Sequence, residues 1–200
     1  LRVLDPQRSS PLPASPPGPV AVGSATPRVH AAAAALENHG VEVTVAEPQF
    51  ISGAERCFSA LRDLDPYADL RPLAECLGPG LRAVIARAPR DPDWRAYERH
   101  QRQAEELRAT ADRFMDDHPL LLLEVARCEL PPPAGAPVSF EDLGPCRAIS
   151  LLGLPVVAVA GVQFIARRAR DEDALAAAAL LERASEGRPP TLDSPAPRND

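Results

Sequence analysis

The residues of this chain that could do chemistry are few and scattered. Its four histidines, His30, His39, His100 and His118, form no HxH or HxxxH pair, the spacings that put two imidazoles on one side of an element for a zinc ion. No metal site is expected. The four cysteines, Cys57, Cys76, Cys128 and Cys146, contain no CxxC. They read as the reduced thiols of an intracellular chain, with two disulfides of a secreted protein as the alternative. Ser9 and Ser10 are adjacent, but they lie in "SSPLPASPPGP" without the glycines that an oxyanion loop needs. No GxSxG elbow, GxGxxG turn or phosphate-binding loop occurs, and no cofactor is expected. Arg167, Arg168 and Arg170 are close enough to attract an anion; the plainer reading is a solvated loop paired with Asp171 to Asp173.

The basic residues say most. All 22 are arginine, and lysine does not occur. Arginine stays protonated, so it does not readily serve as a general base or form a Schiff base. Every mechanism that rests on a catalytic Lys is closed to this chain acting alone. The catalytic set read from the sequence is therefore none, and the substrate-binding residues are unknown.

The totals narrow the class further. Two hundred residues, 45% hydrophobic and 25% charged, suit one globular domain. The net charge of -6 argues against nucleic acid, whose binders neutralise phosphates with basic side chains. No basic segment followed by an apolar one marks a secretory signal, so a cytoplasmic location is expected. The chain opens on Leu1, which reads as processing or as part of something longer. Ala148 to Ala166 is nineteen residues without a formal charge, about the length that spans a membrane. Gly153, Pro155 and Gly161 interrupt the run, and its β-branched residues suit strands buried on both faces, so no membrane is expected.

The elements that must position these residues follow from pattern. Residues 1–25 are Pro- and Ser-rich and read as poorly ordered, apart from a short strand suggested by "LRVL". Thr26 and Pro27 are an N-cap and first helical residue, and Val29, Ala32, Ala33 and Leu36 recur on one face up to Gly40. Val41, Val43 and Val45 alternate as a strand. Residues 52–88 read as short helices broken near Pro66, Pro72 and Gly78-Pro79-Gly80. A long helix is expected over Asp91 to Asp117, with a packing stripe of Trp94, Tyr97, Gln101, Ala104, Leu107, Ala111 and Phe114. "PLLLLEVA" reads as a buried strand and Pro131 to Pro137 as a loop. A helix is expected from Ser139 to about Leu151. Strands follow at Val156 to Val159 and Val162 to Ala166. Asp171 caps a final helix that turns Ala174, Leu175, Ala178 and Leu181 inward and stops at Gly187. Residues 188–200 read as a disordered tail.

The order of these pieces resembles the C-terminal end of the amidase-signature family. "GLPVVAV" (Gly153 to Val159) and "GVQFIARRARDEDALAAAALLE" (Gly161 to Glu182) look like its GLP strand, its GVQ strand, a charged loop and an Ala/Leu-rich last helix. "TPRVHAAAAALENHGVEVTVAEP" (Thr26 to Pro48) looks like the segment following the family's catalytic core. The resemblance implies an α/β fold: part of an α/β/α sandwich around a mixed sheet, with the amidase-like portion at residues 26–187.

The family's amide hydrolysis uses a Ser, a cis-Ser and a Lys, with a Gly/Ser-rich loop, all N-terminal to the portion matched here. No such residue can be carried over. The resemblance thus implies an amidase-family hydrolase portion that is inactive alone, and it leaves open whether this chain by itself is an enzyme. A small amide is its substrate only if the core is restored. The expected partner is an N-terminal amidase half, or a second copy in a homo-oligomer. A non-catalytic interaction module, or a subunit pairing with a separate catalytic half, is the alternative reading, and a decayed gene product a third. Family members have about ten residues between the two last strands. Ala160-Gly161 reads as too tight for an antiparallel hairpin with both strands at full length.

Overall fold

The computed structural model describes residues 18–65, 67, 69–128 and 140–186. The readings of "LRVL", Ser9-Ser10, the Pro131 to Pro137 loop, Ser139, Gly187 and the tail at 188–200 lie outside those residues.

The first strand falls where composition predicts none. β1 (Val20–Val22) lies inside the segment 1–25 and is buried at all three positions. Proline and serine dominate any window that includes it. Three apolar residues between Pro19 and Gly23 are also too few to show alternation. A central parallel strand buried on both faces needs no alternation.

α1 (Pro27–Glu37) begins as the sequence predicts. The Thr26 side chain accepts a hydrogen bond from Val29 N at 3.4 Å, with Pro27 at the first position. Gly40, at φ +80°, turns the chain out of the helix. β2 (Val43–Val45) is shorter than expected, because Val41 fills the core instead and its N–H bonds Leu36 O at 3.1 Å.

α2 (Phe50–Leu64), a 3-10 turn (Arg71–Cys76) and α3 (Pro79–Arg87) follow, with the expected breaks near Pro72 and at Gly78-Pro79-Gly80; Pro66 lies outside the described residues. α4 (Trp94–Asp117) is capped by Asp93, whose side chain accepts from Ala96 N at 3.0 Å. Its stripe packs from Ala104 onward, with Ala111 and Met115 buried. Trp94 is 55% exposed.

β3 (Leu120–Glu124) comes next. α5 (Gly144–Leu152) starts later than the Ser139 expected, since Gly144 and Pro145 form its first turn and Glu141 and Asp142 precede it. β4 (Val156–Val159), β5 (Val162–Ala166) and α6 (Asp171–Glu186) complete the described chain.

The five strands form one mixed sheet in the order β2-β1-β3-β5-β4, parallel among β2, β1 and β3 and antiparallel at β3/β5 and β5/β4. Alternate strand residues face two cores. Val20, Val22, Leu120, Leu122 and Phe164 pack under α1 and α6. Ala21, Leu121, Leu123 and Ile165 pack under α2, α4 and α5. The architecture is the expected α/β/α sandwich.

The hairpin corrects the sequence reading. Val159 pairs with Val162 across a loop of Ala160 and Gly161 alone, with both strands at the expected length. Ala160 has φ +50° and Gly161 φ +77°, as a type I′ turn requires. Two residues suffice because this turn's twist matches that of the strands it joins. The apolar run Ala148 to Ala166 is thus the end of α5 plus a hairpin. No helix among the described residues is long and apolar enough to cross a membrane.

Candidate functional site at the strand ends

β1 sits between β2 and β3 and runs parallel to both. The chain leaves β1 toward one side and returns on the other, so the carboxyl ends of β1 and β3 splay around a crevice. Open α/β sheets bind ligands at such topological switch points. A cleft of about 210 Å³ lies there. Gly23 and Ser24 reach it from β1, Glu47 and Pro48 from β2, Glu124 and Arg127 from β3, and Ser52 and Glu55 from α2.

Its polar groups hold one another in place. Ser24 Oγ donates to Glu124 Oε2. Arg127 Nη2 donates to Glu55 Oε1 at 2.5 Å, Arg127 Nη1 to Glu141 O at 3.2 Å, and Arg127 N to Asp142 O at 2.9 Å. Gln163 Nε2, from β5, donates to Glu124 O at 2.9 Å. Two glycines let the elements close on the cleft. A Cβ on Gly23 would stand 2.6 Å from Leu123 Cδ2, and one on Gly144 would stand 2.6 Å from Glu55 Oε2 and collide with Arg127 Nη1. The lining offers hydroxyls, carboxylates and one guanidinium, and can hold a polar ligand by hydrogen bonds. Among the described residues its lining contains no His, Cys or Lys.

A second arrangement was not read from the sequence. Phe140 takes the guanidinium of Arg62 on one face at 3.6 Å and that of Arg147 on the other at 3.8 Å. Arg147 is only 6% exposed; its Nη1 donates to Ser59 Oγ at 2.9 Å, while its Nε is buried without a partner among the described residues. This stack pins the turn before α5 against α2.

The sequence-predicted candidates are not brought together. His30, His39, His100 and His118 lie on separate parts of α1, its C-terminal turn and α4, and no group of three or more His, Cys, Asp or Glu could hold a metal ion among the described residues. All four cysteines are free. The arginine loop is corrected in part. Arg170 pairs with Glu172 and Asp173 as expected, at 3.0 and 2.9 Å. Arg167 and Arg168 instead pair with Asp116 and Asp112 of α4, each at 2.8 Å, because the end of β5 lies beside the start of β3 and the helix before it. Arg168 also caps α5, donating to Leu152 O at 2.6 Å and Gly153 O at 2.9 Å. None of the cleft residues stood out in the sequence as a binding residue, and Gly23 and Ser24 fell inside the segment read as poorly ordered.

No protein-family model matches the chain, and no curated protein is significantly similar to it in sequence. The fold itself is a portion of that of the amidase-signature hydrolases. Kluyveromyces lactis allophanate hydrolase superposes with a TM-score of 0.66 at 16% identity, over 84% of this chain and 32% of that one. 6-Aminohexanoate cyclic dimer hydrolase gives 0.63 at 18% identity, over 86% and 46%. A bacterial aryl acylamidase of the amidase-signature family gives 0.54 at 17% identity, over 85% and 44%. The chain spans less than half the length of each of these three enzymes. At such identities the likeness is one of fold.

Proposed function

We propose that this chain is the C-terminal portion of an amidase-signature hydrolase, that it walls the substrate cleft, and that it hydrolyses no amide by itself. One pairing of facts carries the reading: the fold aligns over 84% of the chain with a carbon–nitrogen hydrolase, yet all 22 basic residues are arginine. The Ser, cis-Ser and Lys that the family resemblance implies must then come from polypeptide other than these residues. The cleft at the ends of β1 and β3 is where such a catalytic portion would face its substrate. A cytoplasmic location belongs to the same reading.

A second reading is a non-catalytic interaction module. It is favoured by two open sheet edges, where Val45 of β2 is 88% exposed and Val156 of β4 is 45% exposed.

One experiment separates them. The purified chain is assayed on a simple aryl amide, alone and co-expressed with a separately encoded, Lys-containing amidase core. No turnover alone, and a stable active heterodimer with the core, supports the hydrolase reading. Turnover by the chain alone, abolished by a serine-directed inhibitor, would overturn it. Two inert chains that do not associate leave the interaction module.

A further inference from the structure

The ion pair in the wall of the cleft is held from outside the cleft. Arg127 Nη2 donates to Glu55 Oε1 at 2.5 Å, and Arg127 Nη1 donates to Glu141 O at 3.2 Å. Glu141 follows Phe140, whose ring lies between the guanidinium groups of Arg62 and Arg147 at 3.6 and 3.8 Å. Phe58 of α2 packs against the same ring, 6.4 Å between centroids. Arg147 Nη1 donates to Ser59 Oγ at 2.9 Å, and Ser59 Oγ donates in turn to Glu55 O at 3.0 Å. The contacts close on themselves. They run from Phe140 to Arg147, Ser59, Glu55, Arg127 and Glu141, and return to Phe140 through one peptide bond.

α2, the segment after β3, the turn before α5 and α5 itself all meet in that ring. A planar guanidinium stacks on an aromatic face in a defined orientation, so the two arginines fix the Phe140 ring and with it the direction of the Glu141 carbonyl. That carbonyl takes one edge of the Arg127 fork while Glu55 takes the other. Arg127 N also donates to Asp142 O at 2.9 Å, and Arg147 Nη2 lies 3.7 Å from Glu141 Oε2, so the turn is tied from both sides. Gly144 leaves the room for the pair, since a Cβ there would stand 2.6 Å from Glu55 Oε2. Glu55 and Arg127 line the cleft; Phe140, Arg147 and Ser59 do not.

We propose that Phe140 is a positioning residue for the cleft: its double guanidinium stack holds Arg127 on Glu55, so the charge that the cleft shows a ligand is set from behind its wall. With both edges of its fork engaged, Arg127 stands in the wall as half of an ion pair. Released from Glu141 O, it is a cation that can turn toward a ligand. Phe140 plays this part whatever the cleft binds, so the proposal stands apart from the hydrolase reading.

The test uses the full 200-residue chain. Side-chain guanidinium NMR reads each arginine separately. In the wild type the Arg62 and Arg147 Nε–H signals should lie upfield over the Phe140 ring, and the Arg127 Nη protons should be resolved because its fork cannot rotate freely. Phe140→Leu should merge the Arg127 Nη signals. Phe140→Tyr keeps the aromatic face and should leave them resolved. Arg168, bonded to Leu152 O and Gly153 O at the far end of α5, should be unmoved in both variants. Urea unfolding supplies a second readout. Phe140→Leu and Glu55→Gln together should lower the folding equilibrium constant by more than about twofold less than the product of their separate effects. Phe140→Leu and Glu124→Gln should simply multiply, because Glu124 is held by Ser24 outside the ring. Should Phe140→Leu fail to fold, Ser59→Ala breaks the ring with little loss of volume and should merge the same Arg127 signals. Arg127 Nη protons that rotate freely in the wild type, or that stay resolved in whichever variant folds, overturn the proposal. So do effects that multiply with Glu55→Gln, and so does joint loss of the Arg127 and Arg168 signals, which marks general loosening.

Discussion

Burial sets the chemistry of single residues more than sequence neighbours do, and the thiols show it. Cys57 is buried on α2, with Sγ donating to His100 O at 3.3 Å. Burial pushes its pKa up, and Arg108 offsets this only in part. Burial likewise raises Cys146, whose Sγ donates to Val125 O at 2.9 Å. Cys76 is exposed. The thiolate is the reactive form, so iodoacetamide at mildly alkaline pH is expected to modify Cys76 first, the half-buried Cys146 more slowly, and Cys57 only on unfolding. Peptide mass spectrometry reads the order, and Cys57 labelling as fast as Cys76 would refute it. The sign of the pH dependence is fixed as well. Folded thiols that titrate above their unfolded values stabilise the fold fully below the ordinary thiol range. That stability drains away as pH rises through it, so the urea midpoint should fall on the alkaline side. None of this was legible in cysteine spacing, which spoke only of disulfides and metals. The cleft was hidden for the same reason. Arg127 meets Glu55 across 72 positions of chain, and Gly144 matters only because both lie against it.

At the scale of elements, sequence pattern located most of the helices and strands, and local chemistry explains the exceptions. Periodicity placed α4, which is long enough to show its period, and β-branched content placed β4 and β5. It missed β1, which has three. It misplaced the start of α5 because the carboxylates of Glu141 and Asp142 looked like a first turn, while Gly144-Pro145 sets the actual one. The hairpin shows where this chain departs from the best local solution. Ala160 holds φ +50°, a left-handed conformation that costs an ordinary L-residue roughly 1 kcal/mol. Asn tolerates that region, and Asn-Gly is the preferred type I′ pair. Ala160→Asn is therefore expected to stabilise the chain by about 1 kcal/mol, seen as a higher urea midpoint with an unchanged slope. Gly161 is the opposite case. It sits at φ +77°, and a Cβ there would stand 2.7 Å from Arg28 Cδ, so it leaves no comparable room for improvement. A neutral or destabilising Ala160→Asn would mean the turn is not the type I′ loop described above.

Across the whole molecule, burial is uneven, and cooperativity should follow it. β3 lies at the middle of the sheet with Leu120 to Leu123 no more than 3% exposed, and β5 beside it is buried throughout. Both strands are covered by helices on each face. The stretch from the 3-10 turn through α3 is different: Ile85 is its only residue buried in the core, while Leu73 is 52%, Leu81 40% and Val84 39% exposed. Polar ties hold it together instead. Arg71 Nη2 donates to Ala88 O at 2.7 Å and Pro89 O at 2.9 Å, and Arg82 Nη2 donates to Leu77 O at 3.0 Å. A nine-residue helix is marginal on propensity alone. Such a segment opens without the rest of the fold. Amide hydrogen exchange should therefore run through residues 71–87 at least about tenfold faster than through β3 and β5, whose protection should approach that of global unfolding. Equal protection in the two regions would show that the segment is clamped by contacts other than those described. A partner that covers Leu73, Leu81 and Val84 should slow exchange there alone.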